Sequence, residues 1–246
     1  MKTTIKYNEP VTMTSDVRTL DFEKGEVFLI DKPLNWTSYD VVHRVRDLFH
    51  VKKVGHAGTL DPKATGLLIL CTGKKTKEID TFTGQEKEYE GMMQLGATTA
   101  SFDSETPEAD QKDYLRIDEK EILNVFSSFI GVQLQVPPMY SAVKYGGKPL
   151  YKYARKGRSL EREPREITVS EFALLKFELP FLCFRIVCSK GTYIRSIVDE
   201  CGKKLGCGAY LKELRRTRIG SLSLQQALHI EDLYSLSDRC NPARPV

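Results

Sequence analysis

The chain has 246 residues, 41% of them hydrophobic and 28% charged, which is enough to bury a core in one large domain or two small ones. No apolar run approaches membrane length and the N-terminus carries no apolar leader, which places the protein in the cytoplasm and excludes a membrane partner. A net charge of +4 permits an anionic partner without requiring one, and six cysteines without C-x-x-C spacing, beside four histidines, read as reduced structural thiols and not as a metal site.

Residues 1–24 are polar and aperiodic and read as a loosely ordered N-terminal arm, leaving 25–246 as the folded domain. Order begins with a short buried strand at 27–30 that leads into Asp31-Lys32-Pro33. Thr37 with Asp40 three residues on has the form of a capping box, and Val41, Val45, Leu48 and Phe49 give the helix behind it an apolar face. Next comes Gly55-His-Ala-Gly-Thr-Leu-Asp-Pro62. Gly55 and Gly58 let the backbone approach a ligand closely, and Pro62 stiffens the turn that carries Asp61. The apolar run 67–70 reads as a core strand anchoring this loop, with Gly66 and Gly73 marking its ends. A carboxylate on a stiff loop beside a core strand suits nucleophilic or acid–base work, although an Asp-Pro pair alone is more often a turn cap. A phosphate loop is excluded, because Gly73-Lys74 is followed by Lys75 and no glycine stands five residues before it. Lys74, Lys75 and Lys77 form a basic cluster that by itself reads as solvated surface.

A strand follows over 87–96, with Tyr89, Gly91, Met93 and Leu95 on one face; a tyrosine in such a place is by itself most often core. Asp118 with Glu121 opens a helix whose stripe is Ile122, Val125, Phe126 and Phe129. From 137 to 165 there are eight Lys or Arg against two Glu, interleaved with Tyr140, Tyr145, Tyr151 and Tyr153. Basic residues meet phosphates and aromatics meet unstacked bases, so this is the composition of a surface for looped RNA, with a plain solvated loop as the alternative. The run 181–188 is apolar on both faces apart from Arg185, as in a central strand. It leads to a helix on which Ile194, Ile197, Val198, Cys201 and Leu205 face the core and which Gly206 ends.

Gly58-Thr-Leu-Asp-Pro-Lys-Ala-Thr-Gly-Leu-Leu68 closely resembles the catalytic motif of the pseudouridine synthases, and most of all that of the TruB family. Asp31-Lys32-Pro33 and the residues after it resemble the family's first motif, with Asn35 in place of its glycine. The stretch 98–105 keeps Asp103 of the T-D-T-x-D pattern, with Ala100 at its first aspartate and Phe102 before Asp103. Pro137-Pro-Met-Tyr-Ser-Ala-Val-Lys144 through Ala154-Arg-Lys-Gly157 resembles the family's insertion, while Gly191-Thr-Tyr-Ile-Arg-Ser196, the run 211–218 and His229-Ile-Glu-Asp-Leu233 complete the match.

The resemblance implies an α+β fold: a mixed, mostly antiparallel sheet flanked by helices, with a central cleft and a thumb insertion at about 137–165. It implies that a specific uridine of the tRNA TΨC loop, position 55, is flipped from its stack and isomerised to pseudouridine. Asp61 is then the catalytic residue, Arg195 its ionic partner, Asp103 the group that orients that guanidinium, Tyr89 the ring against the target base and His56 a neighbour of the flipped nucleotide. Lys32, Tyr193 and Leu214 complete the substrate-binding set, and Lys144, Lys148 and Arg155 of the thumb contact RNA. The reaction is an isomerisation, so no cofactor and no metal is expected. The partner is the T-stem-loop of tRNA, met by a monomer. Many family members carry a further small RNA-binding domain at the C-terminus, and too few residues follow the last matched segment to form one here. The rival reading is a non-catalytic RNA-binding or RNA-folding protein on the same scaffold, which would keep the basic thumb without needing Asp61, Tyr89 and Arg195 together.

Overall fold

A computed structural model describes residues 9–240. The chain divides into two compact units, one from Met1–Lys87 with Arg215–Val246 and one from Glu88–Leu214. Of the stretch expected as a loose arm, residues 1–8 lie outside the described part. Further on, the Val11 N–H donates to the Val27 carbonyl at 2.9 Å, and its side chain is buried in the first unit's core.

The first unit is organised on β1 (Val27–Lys32), β2 (Val54–Ala57) and β3 (Ala64–Thr72). β3 pairs antiparallel with β1, from Val27 opposite Cys71 to Lys32 opposite Gly66, and with β2, from Val54 opposite Thr72 to Ala57 opposite Ile69. Side chains alternate across these strands, and both faces are buried. Phe28, Ile30, Leu68 and Leu70 pack with Val41, Val45 and Phe49 of α1 (Ser38–Phe49), while Val27, Leu29, Leu67 and Ile69 pack with Phe82 of α2 (Ile79–Thr83). Each such side chain contributes roughly 1.5–3 kcal/mol on burial, so β3 is a rigid base for the loop that precedes it. The capping box of α1 is formed: Asp40 N–H donates to Thr37 Oγ1 at 3.1 Å and Thr37 N–H donates to Asp40 Oδ2 at 2.7 Å. Gly66 lies inside β3 and does not mark its start. A Cβ there would stand 2.3 Å from the Arg216 carbonyl oxygen, so this position takes a glycine for close backbone approach.

The second unit contains β4 (Lys87–Leu95), β5 (Thr98–Thr99), β6 (Glu108–Ala109), α3 (Glu119–Ser127), β7 (Gly131–Gln135), β8 (Lys144–Tyr145), β9 (Lys148–Pro149), α4 (Tyr151–Ala154), β10 (Arg165–Glu178), β11 (Phe181–Cys188) and α5 (Ile194–Lys204). Its main strand order is β4-β11-β10-β7. α3 begins with its Asp118–Glu121 box formed, and its Phe126 stacks on Phe172 of β10 at 3.8 Å between ring centres. β12 (Ala209–Ile219) carries the chain back to the first unit, which closes with β13 (Leu222–Ser223) and α6 (Ile230–Cys240). The β1–β3, β2–β3, β7–β10, β10–β11 and β12–β13 ladders are all antiparallel, and parallel pairing enters through single bridges such as Ile30 with Leu228. With helices on the flanks of the sheet, the class is α+β, as the resemblance implies.

Candidate active site

In the first unit the loop between β2 and β3 holds Asp61 in a frame of backbone contacts. Leu60 N–H donates to Ser38 Oγ at 2.9 Å and its carbonyl accepts from the same hydroxyl at 3.2 Å. Ala64 N–H donates to the Asp61 carbonyl at 3.0 Å, and Asn35 N–H donates to the Pro62 carbonyl at 2.8 Å. Asn35 sits at φ 64°, the left-handed conformation that Asn tolerates better than most residues, so its departure from the family glycine leaves the turn intact. Arg216, buried to 1% exposure, donates from Nε to the Leu67 carbonyl at 2.7 Å and from Nη2 to the Gly58 carbonyl at 3.0 Å. One guanidinium thus pins the loop to the strand behind it.

Lys32 is fully buried, and its Nζ donates to the carbonyls of Pro33 at 2.9 Å and Trp36 at 2.6 Å. Burial pulls its pKa down to about 8, with the Asp61 carboxylate opposing that fall and Arg216 adding to it. Lys32 and Asp61 therefore sense each other's charge. His56, on β2 opposite Leu70, has its pKa lowered by burial and then by Arg216. Its neutral form is favoured, and its Nδ1 is buried without a hydrogen-bond partner.

In the second unit Arg195 stands on the first turn of α5 at 3% exposure, with Nε 4.0 Å from Asp103 Oδ2 and Nη1 donating to the Ser101 carbonyl at 3.3 Å. Asp103 accepts on Oδ1 from the Ser101 hydroxyl at 2.6 Å and from the Glu105 N–H at 2.9 Å. Ser101 and Asp103 thus survive as a working pair although Ala100 replaces the first aspartate of the pattern. The Arg195 guanidinium lies 5.6 Å from the Tyr193 ring centre. Gln135 fixes the Tyr193 backbone from both sides, accepting from its N–H at 2.8 Å and donating to its carbonyl at 3.0 Å. Tyr89 is buried on β4, and Leu214 is half-buried on β12. On the thumb, Lys144 and Lys148 are exposed on the β8–β9 hairpin, whereas Arg155 lies over the Tyr151 ring and donates to Glu105 at 3.3 Å.

Among the described residues no three His, Cys, Asp or Glu are gathered as metal ligands, and no helix is long and apolar enough to cross a membrane. The family model described as "TruB family pseudouridylate synthase (N terminal domain)" matches residues 46–194, more than half of the chain. The chain belongs to the TruB family. Its matched part contains the Asp61 loop, Tyr89, Asp103, the thumb and Tyr193, and a second model, "tRNA pseudouridylate synthase B C-terminal domain", matches residues 195–241. Among curated TruB proteins, tRNA pseudouridine synthase B of Chlorobium chlorochromatii is 52% identical over 213 residues, covering 85% of this chain and 84% of its own. The protein of the same name from Chloroherpeton thalassium is 48% identical over 214 residues, covering 85% and 89%. Among solved structures, a Cbf5–Nop10–Gar1 complex superposes with a TM-score of 0.70 at 29% identity, over 95% of this chain and 60% of that one. An H/ACA RNP bound to a substrate RNA gives 0.65 at 27%, over 87% and 53%. The chain thus spans little more than half the length of these solved chains.

Ser38, Ser101 and Arg216 lie inside the matched motifs without any role being readable there, and Gln135, which holds the Tyr193 backbone, lies outside them. Arg216 sits in the run Arg215-Arg216-Thr217-Arg218, which by residue type reads as a solvated basic stretch. Only the three-dimensional approach of β12 to β3 makes one of its arginines a buried clamp.

Proposed function

We propose that this pseudouridine synthase acts on uridine 55 in the T-loop of tRNA, with Asp61 as the catalytic carboxylate. The observation that carries the reading is the clamped loop: Ser38, Asn35 and Arg216 fix the backbone on both sides of Asp61. Positioning of this kind is what turns a side chain into a catalyst, because misplacement by about 1 Å costs on the order of a hundredfold in rate. The curated relatives, similar over most of their length, are named for tRNA.

The reaction breaks the C1′–N1 bond, rotates the uracil, forms a C1′–C5 bond, releases the proton from C5 and leaves N1 protonated, so atoms and electrons balance without a co-reactant. The base must first leave its stack, at a cost of a few kcal/mol, and stacking on Tyr89 returns about 1–3 kcal/mol of it. Asp61 serves as the anion that attacks the nucleotide or stabilises the positive charge developing on it. Lys32, buried and charged below pH 8, favours that anion. His56, neutral, packs beside the extruded nucleotide, and Tyr193, Arg195, Asp103 and Leu214 complete the binding set. Lys144, Lys148 and Arg155 meet stem phosphates. The enzyme works as a monomer in the cytoplasm.

Mapping pseudouridine in unmodified tRNA after incubation with the protein tests this. Conversion should be confined to position 55. Asp61→Asn keeps the side chain's shape but loses the charge and should abolish turnover while holding tRNA binding within about tenfold, or 1.4 kcal/mol. Substantial turnover by Asp61→Asn would remove the assignment.

A further inference from the structure

At the end of β3 remote from Asp61, a cavity of about 350 Å³ is lined by Lys52, Lys53, Lys74 and Lys77 together with His50 and Glu23. The four lysines are exposed, and among the described residues none has a carboxylate within ion-pair distance. Their backbone is held firmly. Gly73 N–H donates to the Lys53 carbonyl at 2.9 Å and Lys74 N–H to the Glu23 carbonyl at 3.1 Å. Two segments of chain, 50–53 and 73–77, therefore bring four like charges to one concavity against the single carboxylate of Glu23, an excess of positive charge that an entering anion relieves. Lysine is a mobile point charge with no planar fork to read a base edge, so the partner that suits the cradle is a run of backbone phosphates, contacted without regard to sequence.

The position says which phosphates. β3 runs from Ala64, bonded to the Asp61 carbonyl, to Thr72, beside the lysines. At about 3.3 Å per residue the cradle lies roughly 26 Å along β3 from Ala64, the end of the catalytic loop at which Asp61 is held, while the other end of that loop leaves β2 at Ala57 opposite Ile69. A T-stem of five base pairs, at roughly 3 Å each, extends only about 15 Å. Resting on the reading of tRNA as substrate, we infer that Lys52, Lys53, Lys74 and Lys77 form a second RNA-binding surface that grips phosphates of the helical arm continuing beyond the T-stem.

The test compares two RNAs, whole tRNA and an isolated T-stem-loop, by measuring Kd between 50 and 300 mM salt. It uses the wild type, the quadruple variant Lys52→Ala/Lys53→Ala/Lys74→Ala/Lys77→Ala and the matching quadruple Lys→Arg variant. With whole tRNA the Ala variant should bind several-fold more weakly at low salt, and its slope of log K against log salt should be shallower by up to about 0.9 for each phosphate that the protein no longer neutralises. The stem-loop should bind all three proteins equally, and the Arg variant should keep the wild-type slope. An unchanged slope with whole tRNA overturns the inference, as does an equal weakening with both RNAs or a weakening shared by the Arg variant. Pseudouridine formation in the stem-loop at saturating enzyme is the separate control. If the wild type formed none, the assignment of the reaction would fail while the binding comparison still decided the cradle.

Discussion

Lys32 offers a test in which folding and the candidate site meet. Its side chain is 0% exposed, and its pKa falls from the usual 10.5 to about 8, chiefly because burial strips water from the ammonium. The charged form is the one the fold penalises, so the penalty is complete below pH 8. It is relieved between pH 8 and 10.5, where the unfolded chain still holds the proton and the folded chain has lost it. Stability contributed at this site therefore rises with pH, by an amount on the order of 2–3 kcal/mol between pH 7 and 10. The neutral amine keeps two N–H groups for the Pro33 and Trp36 carbonyls, so those hydrogen bonds survive deprotonation. Lys32→Met fills much of the same volume and abolishes the titration. Urea unfolding of both proteins from pH 7 to 10 cancels every other titrating group in the difference between them. That difference should move by roughly 2–3 kcal/mol in favour of the wild type. A difference constant within about 0.5 kcal/mol across the range would refute the account of a buried, charged lysine.

Two further outcomes are expected. Replacing Lys144, Lys148 and Arg155 by Ala should weaken tRNA binding and flatten its salt dependence by up to about 0.9 per phosphate left unneutralised, with Arg155 contributing least because Glu105 already engages it; an unchanged slope in a salt titration would take the thumb out of the interface. Gly66→Ala puts a Cβ 2.3 Å from the Arg216 carbonyl oxygen at φ 98° and should cost about 3 kcal/mol or more in chemical denaturation; a destabilisation below about 1 kcal/mol would mean that β3 and β12 can move apart there.

What could be read in the sequence follows the range of the interactions involved. The boxes at Thr37–Asp40 and Asp118–Glu121 are local, three residues across, and both form. The strand at 181–188 was legible from its apolar run and occupies those same residues, although only its Leu182–Phe184–Ile186–Cys188 face is fully buried and Phe181 is exposed. β7 gave no such signal, since Val132 and Leu134 point outward at 64% and 75% exposure and its alternation shows the wrong face. β10, the longest strand, is broken by register shifts near Ser170 and Leu175 that interrupt any period. At the candidate site, the Asp61 loop and the Arg195 motif were legible as strings of residues. The burial of Lys32, the clamp by Arg216 and the Ser101–Asp103 pair were not, because each depends on partners or packing that residue type alone does not disclose.

The first unit draws its core from both ends of the chain. Val11 and Phe28 share one cluster with Leu233 and Leu236, and the Arg216 clamp on the Asp61 loop also arrives late in the sequence. During synthesis α1 and α2 are available early to cover β1 and β3, but the part of that core supplied by Leu233 and Leu236, and the Arg216 clamp, wait until Glu88–Leu214 has been made. Only when α6 has emerged can the covering on that face close, so the catalytic loop is among the first segments to be synthesised and among the last to be set in place.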